Sequence, residues 1–334
     1  IGDGMGTRIK WIDCIKVEAC ILVVLGHFYQ SMIFSGMLPE NEIYNWFIKT
    51  VYCFHVQLFF ICSGFLYQKY SKVNSFDLWI KNSKKKLLSL GVPYLFFSTV
   101  TWLLKSVFSG SVNNEVKAGL ADSLLRKPVS PYWYLYALFF IFLLTWTFSS
   151  TKKALFWMIC AIAGKIYFLS GACNCGIYAV TIVLQNEVWF VGGMLLCYFK
   201  FDVYNKQRAG RVLALTGFAM SIMISYMNLF NGWISFGLGI ILCFSVIFLT
   251  AGYQDEIWKC KIIPVVSKYT MPIFLMHTIF AAPFRVFLLK IGIENIWIHI
   301  LGGLMISFGG PVLAARVMKK LKYPEFVLYP QKFR

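Results

Sequence analysis

An all-α fold, a polytopic bundle of about ten transmembrane helices, is predicted by three observations on this sequence. Of its 334 residues 59% are hydrophobic and only 14% charged, whereas a soluble chain of this length needs far more polar residues to cover its surface. Apolar runs of about 20 residues, the length that crosses the hydrocarbon, recur from end to end. The 32 Lys and Arg residues gather on one set of connections between those runs, as charges do when they orient a membrane protein.

The spans fall at 11–35, 44–68, 87–109, 131–149, 152–170, 176–199, 212–229, 232–252, 262–289 and 295–318. The first holds Lys16 and His27, eleven residues apart. Eleven helical steps return to within about 20° of the same face and rise roughly 16 Å. The second carries His55 and the run FFICSGFL at 59–66. The third follows a basic, amphipathic connection (69–86) that ends in Lys84, Lys85 and Lys86. The fourth opens with Pro131-Tyr132-Trp133-Tyr134-Leu135, and the fifth follows Lys152 and Lys153. The sixth has Glu187 at its middle, and the seventh and eighth are apolar throughout. The ninth contains His277 and Arg285, and the tenth carries Gly302-Gly303 and Gly309-Gly310-Pro311.

With the N-terminus inside, 24 basic residues lie on the cytoplasmic side, five on the opposite side, and three (Lys105, Lys165, Arg285) within spans. That bias places both termini in the cytoplasm. It also accounts for the net charge of +18 without nucleic acid, since anionic lipid attracts the same residues. The expected organisation is a cytoplasmic segment at 1–10, a membrane domain at 11–318 and a cytoplasmic tail at 319–334. Residues 1–4 are expected to be an addition ahead of a native start at Met5. The first span has no small-residue cleavage site and is read as retained. The outer connection 109–130, with Val116, Leu120, Leu124 and Leu125 at helical spacing, is expected to lie on the membrane surface. Seven of the ten cysteines fall in apolar spans, where cysteine acts as a small hydrophobe. Cys173 and Cys175 lack the spacing for a disulfide and the neighbours for a metal.

An ionisable group in the middle of a membrane is a functional candidate. His27 is the first of these, as a structural histidine, a proton-path residue or a catalytic base. Lys16 shares its face, with Asp13 and Glu18 near enough to pair with it. His55 and His277 are further candidates, with Arg285 about 80° round the helix from His277 and lining the outer part of a cavity. His299 is expected at a solvated edge. Glu187 is expected to pair with a cation across the bundle or to meet a substrate hydroxyl. Lys84, Lys85 and Lys86 serve either topology or a nucleotide phosphate. Trp133, Tyr132 and Tyr134 form either an aromatic belt or a sugar-stacking platform. The glycines permit close helix packing.

The stretch RIKWIDCIKVEACILVVLGH (8–27) resembles the opening of acyltransferase family 3, with a basic residue, ten intervening residues and a histidine. Three further stretches resemble the same family in order: Phe59–Leu66, Pro131–Leu135, and Ser267-Lys268-Tyr269 with Ile273–His277. Lys16 departs from the more usual arginine, keeping the charge but not the bidentate geometry. The resemblance implies a membrane O-acyltransferase. It would move an acyl group, acetyl foremost, from cytoplasmic acyl-CoA to a hydroxyl of a cell-envelope carbohydrate or lipid-linked sugar, in the plasma (inner) membrane of a bacterium. His27 would be general base or acyl acceptor and Lys16 its partner towards the donor. Lys16, Lys84, Lys85 and Lys86 would meet acyl-CoA phosphates, and Trp133, Glu187, His277, Arg285 and His55 the acceptor. Acyl-CoA is a co-substrate; no tightly bound cofactor or metal is expected. Partners would be membrane lipid, the glycan acceptor, and a second copy or a separate extracytoplasmic protein. The competing readings are a transporter or export component for envelope glycan or small solute, and a non-catalytic member of a polysaccharide-synthesis complex.

Overall fold

The computed structural model describes residues 8–107 and 119–333. Fourteen α-helices run through them, and there is no strand among the described residues. Eight helical stretches are long and apolar enough to cross a membrane, so the chain is an all-α, multi-pass membrane protein.

The first crossing is α1 (Lys10–Phe34), one unbroken helix of 25 residues, about 37 Å long. The second is two helices, α2 (Glu42–Tyr52) and α3 (His55–Tyr70). At their junction His55 donates from Nδ1 to the Val51 carbonyl at 2.7 Å, while the Cys243 thiol lies 3.7 Å from the Phe54 carbonyl. A side chain on Gly239 would strike the Cys53 carbonyl. Packed protein thus surrounds backbone that a bare break would expose to lipid. The third crossing joins α4 (Phe76–Lys86) to α5 (Val92–Val107) through a π-turn at Leu87–Gly91. Pro93 cannot donate to Ser89 and its ring crowds that carbonyl, so the ladder widens there.

The fourth expected span takes a different form. After α6 (Leu120–Leu125), the helix α7 (Trp133–Leu144) has only 12 residues, about 18 Å, against roughly 30 Å of hydrocarbon. The segment before α7 is folded into the bundle. The Tyr132 ring is fully buried, and its hydroxyl donates to the Leu275 carbonyl at 2.9 Å beside the Thr101 hydroxyl at 2.8 Å. Tyr94 and Tyr136 donate to the Leu124 and Leu125 carbonyls at 2.6 and 2.8 Å. Of the surface segment expected at 109–130, residues 109–118 lie outside the described residues. The rest is anchored inward, because buried tyrosines satisfy its carbonyls. Beyond α7, Thr147 bonds Val73 in both directions and the Phe148 N–H donates to Gln68.

The remaining helices are α8 (Thr151–Leu169), α9 (Tyr178–Tyr198), α10 (Gln207–Tyr226), α11 (Gly232–Gly252), α12 (Gln254–Lys259), α13 (Ile262–Lys290) and α14 (Ile296–Leu321). The fifth expected span, α8, carries Lys152, Lys153 and Lys165, and like α7 falls outside the eight. Side-chain caps from Asn41, Ser75, Ser150, Asn231 and Asn295 start five of the helices, satisfying N–H groups that have no partner within the helix.

Two helix pairs bear most on the site. Where α3 crosses α9, a Cβ on Gly64 would collide with the Phe190 carbonyl and one on Gly193 with the Ile61 carbonyl. Only glycine lets those backbones meet so closely. The other pair is α1 with α13, and it carries the site. The first and last described segments lie at one end of the bundle: Arg8 bonds Ser267 and Asp13, Lys10 bonds Asp255 at 2.7 Å, and Tyr329 reaches the Lys268 carbonyl.

Candidate functional site between the first and thirteenth helices

On α1 the residues 24, 27, 28 and 31 follow one another at helical stride, as 277, 281 and 285 do on α13, so each set lies along one face. Ala281 and Ala282 leave room between them. His27 and His277 meet there with ring centroids 5.4 Å apart and planes tilted by 37°.

The His277 ring is locked. Its Nδ1 lies 3.0 Å from the carbonyls of both Ile273 and Phe274. A carbonyl only accepts, so Nδ1 carries the hydrogen and Nε2 a lone pair. That Nε2 is buried and has no hydrogen-bond partner among the described residues. His299 repeats the pattern. Its Nε2 donates to the Ile293 carbonyl at 2.8 Å, and its buried Nδ1 is left as an acceptor without a partner. A buried acceptor left so costs on the order of 1–3 kcal/mol.

Both histidines line a cavity of about 40 Å³ with His27, Ser31, Arg285, Gly303 and Ser307, ample for a water or a substrate hydroxyl. Arg285, 7% exposed, donates to the Ser31 carbonyl at 2.8 Å and its hydroxyl at 2.6 Å, tying α13 to α1. Gly303 admits the Phe28 ring, which a Cβ would strike. His27, Ser31, Thr278, Ala282 and Arg285 also border a much larger cleft of about 560 Å³ between α1, α5 and α13, a size that suits a small ligand. It opens at the ends of those helices away from the Arg8–Ser267 contact. The chain thus presents two adjacent imidazoles, one with a fixed and unpartnered lone pair, a guanidinium, and a cleft leading in.

Of the residues singled out by sequence, His27, His277 and Arg285 come together here. Lys16, Lys84, Lys85, Lys86, His55, Trp133 and Glu187 line neither cavity. Lys16 is about eleven residues, roughly 16 Å, down α1, so it cannot touch atoms reacting at His27. Its expected acid partners are taken: Asp13 pairs with Arg8, and Glu18 accepts from Thr250 at 3.0–3.1 Å. Lys86 turns inward, its Nζ 3.6 Å from the Phe142 ring centre, close enough to Lys16 for their charges to act on each other. Lys84 and Lys85 stay exposed.

Glu187 pairs with no cation among the described residues. Thr145 at the end of α7 donates to it at 3.0 Å, because its face of α9 meets α7. Trp133 packs on Phe60, with centroids 6.4 Å apart. Tyr132 and Tyr134 are core residues rather than an interfacial belt, Tyr134 bonding Ser63 at 3.1 Å. His55 is buried where α2 breaks into α3. His299 is not a solvated edge residue. It is 2% exposed, since its stride with Gly303 and Ser307 faces the other two helices. That i, i+4 polar stride is the signal by which His299 and Ser31 were findable.

Among the described residues no group of three or more His, Cys, Asp or Glu could hold a metal ion. A family model described as an acyltransferase domain matches residues 9–316. The chain is similar to nodulation protein NolL of Sinorhizobium fredii, 33% identical over 272 residues that cover 69% of this chain and 71% of that one. It is also similar to nodulation protein NolL of Mesorhizobium japonicum, 29% identical over 168 residues, 49% of this chain and 42% of that one. No solved structure matches.

Proposed function

The chain belongs to the acyltransferase domain family, and from that premise we propose the reaction its membrane site carries out. An acyl group, acetyl foremost, passes from acyl-CoA on the cytoplasmic side to a hydroxyl of a cell-envelope carbohydrate or lipid-linked sugar. The setting is the plasma (inner) membrane of a bacterium, with the basic end of the bundle inside. The observation that carries the reading is the pairing of His27 with His277, whose buried Nε2 has no hydrogen-bond partner among the described residues.

With its own Nδ1–H held by two carbonyls, His277 accepts an N–H from His27 once that ring turns slightly. This selects the His27 tautomer whose other nitrogen offers a lone pair to the cavity. His27 is then a general base. It takes the proton from the acceptor hydroxyl as that oxygen bonds to the thioester carbonyl carbon. The C–S bond breaks, and the CoA thiolate recovers the proton from His27. His277 steadies the imidazolium formed in between and is a positioning residue. Arg285, clamped on Ser31, supplies positive charge near the developing oxyanion.

On the donor side, Lys16 and Lys86 meet the phosphates of acyl-CoA, and the pantetheine arm spans the roughly 16 Å up α1 to His27. The purified chain in lipid vesicles is expected to release free CoA from acetyl-CoA only when a hydroxyl acceptor is present. His27→Ala should lower that rate by about 10²–10⁴-fold. Full activity in the folded variant would refute the assigned role.

A further inference from the structure

Residues 170–177 join α8 to α9 and hold Cys173 and Cys175. A single intervening residue suits a disulfide poorly in an extended chain, but here the chain turns. The Asn174 N–H donates to the Ala172 carbonyl at 3.0 Å, a three-residue turn centred on Cys173. Gly171 and Gly176 flank it with φ of +73° and +67°, a conformation open to glycine without steric cost. The two thiols are thereby brought together, their Sγ atoms 3.9 Å apart.

Their surroundings favour reaction. Cys14, Cys20, Cys53, Cys62 and Cys243 are buried, whereas Cys175 is exposed and Cys173 half-buried. Both sulfurs lie against the start of α9, Cys173 at 3.9 Å from the Thr181 hydroxyl and Cys175 at 3.8 Å from the Ile177 carbonyl. The positive end of that 21-residue helix favours the thiolate, which is the nucleophile in disulfide exchange. Among the described residues no third His, Cys, Asp or Glu joins the pair, so a four-ligand metal site is not built here. From this loop α9 runs to the connection that holds Lys200, Lys206, Arg208 and Arg211. The loop is therefore at the end away from the basic face, which in the orientation proposed above lies outside the cytoplasm, where disulfides persist.

We propose that Cys173 and Cys175 form a redox-active dithiol that exchanges with a disulfide-bearing oxidant in that compartment. The more exposed Cys175 thiolate attacks one sulfur of the oxidant, forming a mixed disulfide and releasing one oxidant thiolate. The Cys173 thiolate then attacks the Cys175 sulfur, closing the Cys173–Cys175 bond and releasing the second. Two electrons pass to the oxidant, and the two protons given up by the cysteines end on its two sulfurs. With a reduced partner the exchange runs backwards. The dithiol does not depend on the acyl-transfer reading.

The test uses the purified full chain in nanodiscs, reduced, freed of reductant and incubated with mixtures of oxidised and reduced glutathione. Samples are quenched with acid and mapped by peptide mass. The peptide that holds both cysteines should lose two hydrogens with no glutathione attached, and regain them in excess reduced glutathione. Cys173→Ser should stop at a glutathione adduct on Cys175. That adduct should form about tenfold faster than the one on Cys260, an exposed cysteine of the same chain that reports an ordinary thiol. The unaltered chain can overturn the proposal without any variant. A glutathione adduct that persists on Cys175, separate adducts on both cysteines, or a disulfide joining two chains would each do so. So would an unchanged peptide under conditions that modify Cys260, or a Cys175 in Cys173→Ser that reacts no faster than Cys260.

Discussion

The α3–α9 and α1–α13 pairs both carry motifs of the same family, yet they are built in opposite ways. At the α3–α9 crossing, Gly64 and Gly193 bring two backbones into direct contact. At α1–α13, imidazoles, a serine and an arginine hold the helices apart around voids of about 40 and 560 Å³. The first pair has no room for a ligand, and the second leaves cavities lined by apolar and polar side chains together. The Phe-Phe-x-x-Ser-Gly-Phe-Leu run is therefore a packing device, and the Lys–His run is the one that supplies His27 to the proposed site. The rigid crossing supplies the fixed frame that a loosely filled site needs to stay in register.

The comparison is broken most severely at the glycines. Gly64→Leu or Gly193→Leu should abolish the folded bundle, since neither carbonyl can move away from the added side chain. Detergent-solubilised protein should then elute as aggregate in size-exclusion chromatography. Elution as a folded monomer would show that the crossing is looser than described. Next comes the site pair. His277→Asn keeps a hydrogen-bonding group towards the backbone but loses the Nε2 acceptor beside His27, and should cost about 10–100-fold in kcat, less than the roughly 10²–10⁴-fold of losing the base itself. KM should hardly change. His277→Gln, whose amide reaches the Nε2 position, should recover part of the loss. Equal kcat in the Asn and Gln variants would argue that His277 acts only in packing.

Thr145→Val leaves Glu187 without its buried donor and should lower stability by about 1–3 kcal/mol. A falling melting temperature with unchanged kcat in the surviving enzyme is the expected pattern. The smallest effect is expected for Lys84→Gln with Lys85→Gln. Both side chains are exposed and should change the KM for acyl-CoA less than about threefold, because surface charges in water contribute little. Lys86→Gln, at the inward-turned residue, should raise that KM several-fold more.

Hydropathy makes the crossings legible because a membrane helix needs only length and apolarity. Eight of the ten expected spans are helical stretches long and apolar enough to cross, whereas the fourth and fifth are not, and the K–x₁₀–H spacing leads to His27. What hydropathy cannot show is which neighbour a side chain meets. In a helix that is apolar all round, period 3.6 has little contrast, so the facing of Glu187 onto Thr145 and of Lys86 onto Phe142 is set by distant chain. Tyr132 and Tyr134 are ambiguous for the same reason, since a tyrosine before a helix suits an interface and a core equally until its hydroxyl finds a carbonyl. The shortness of α7 is likewise hidden, because Thr145–Ser150 carries no charge, Gly or Pro to mark a helix end, although Thr147 and Phe148 leave the helix to bond Val73 and Gln68. His299, expected at a solvated edge, is buried, and its stride with Gly303 and Ser307 is the signal that the expectation passed over.

The central claim is that one imidazole, steadied by a second, moves an acyl group through the membrane domain. Sealed vesicles carrying the purified chain in one orientation, with labelled acetyl-CoA at the basic face and acceptor at the other, test it directly. Label should appear on the acceptor with the unaltered chain and fall to background with folded His27→Ala. Transfer at the unaltered rate by that variant, or none by the unaltered chain in the presence of bound acceptor, would contradict the account.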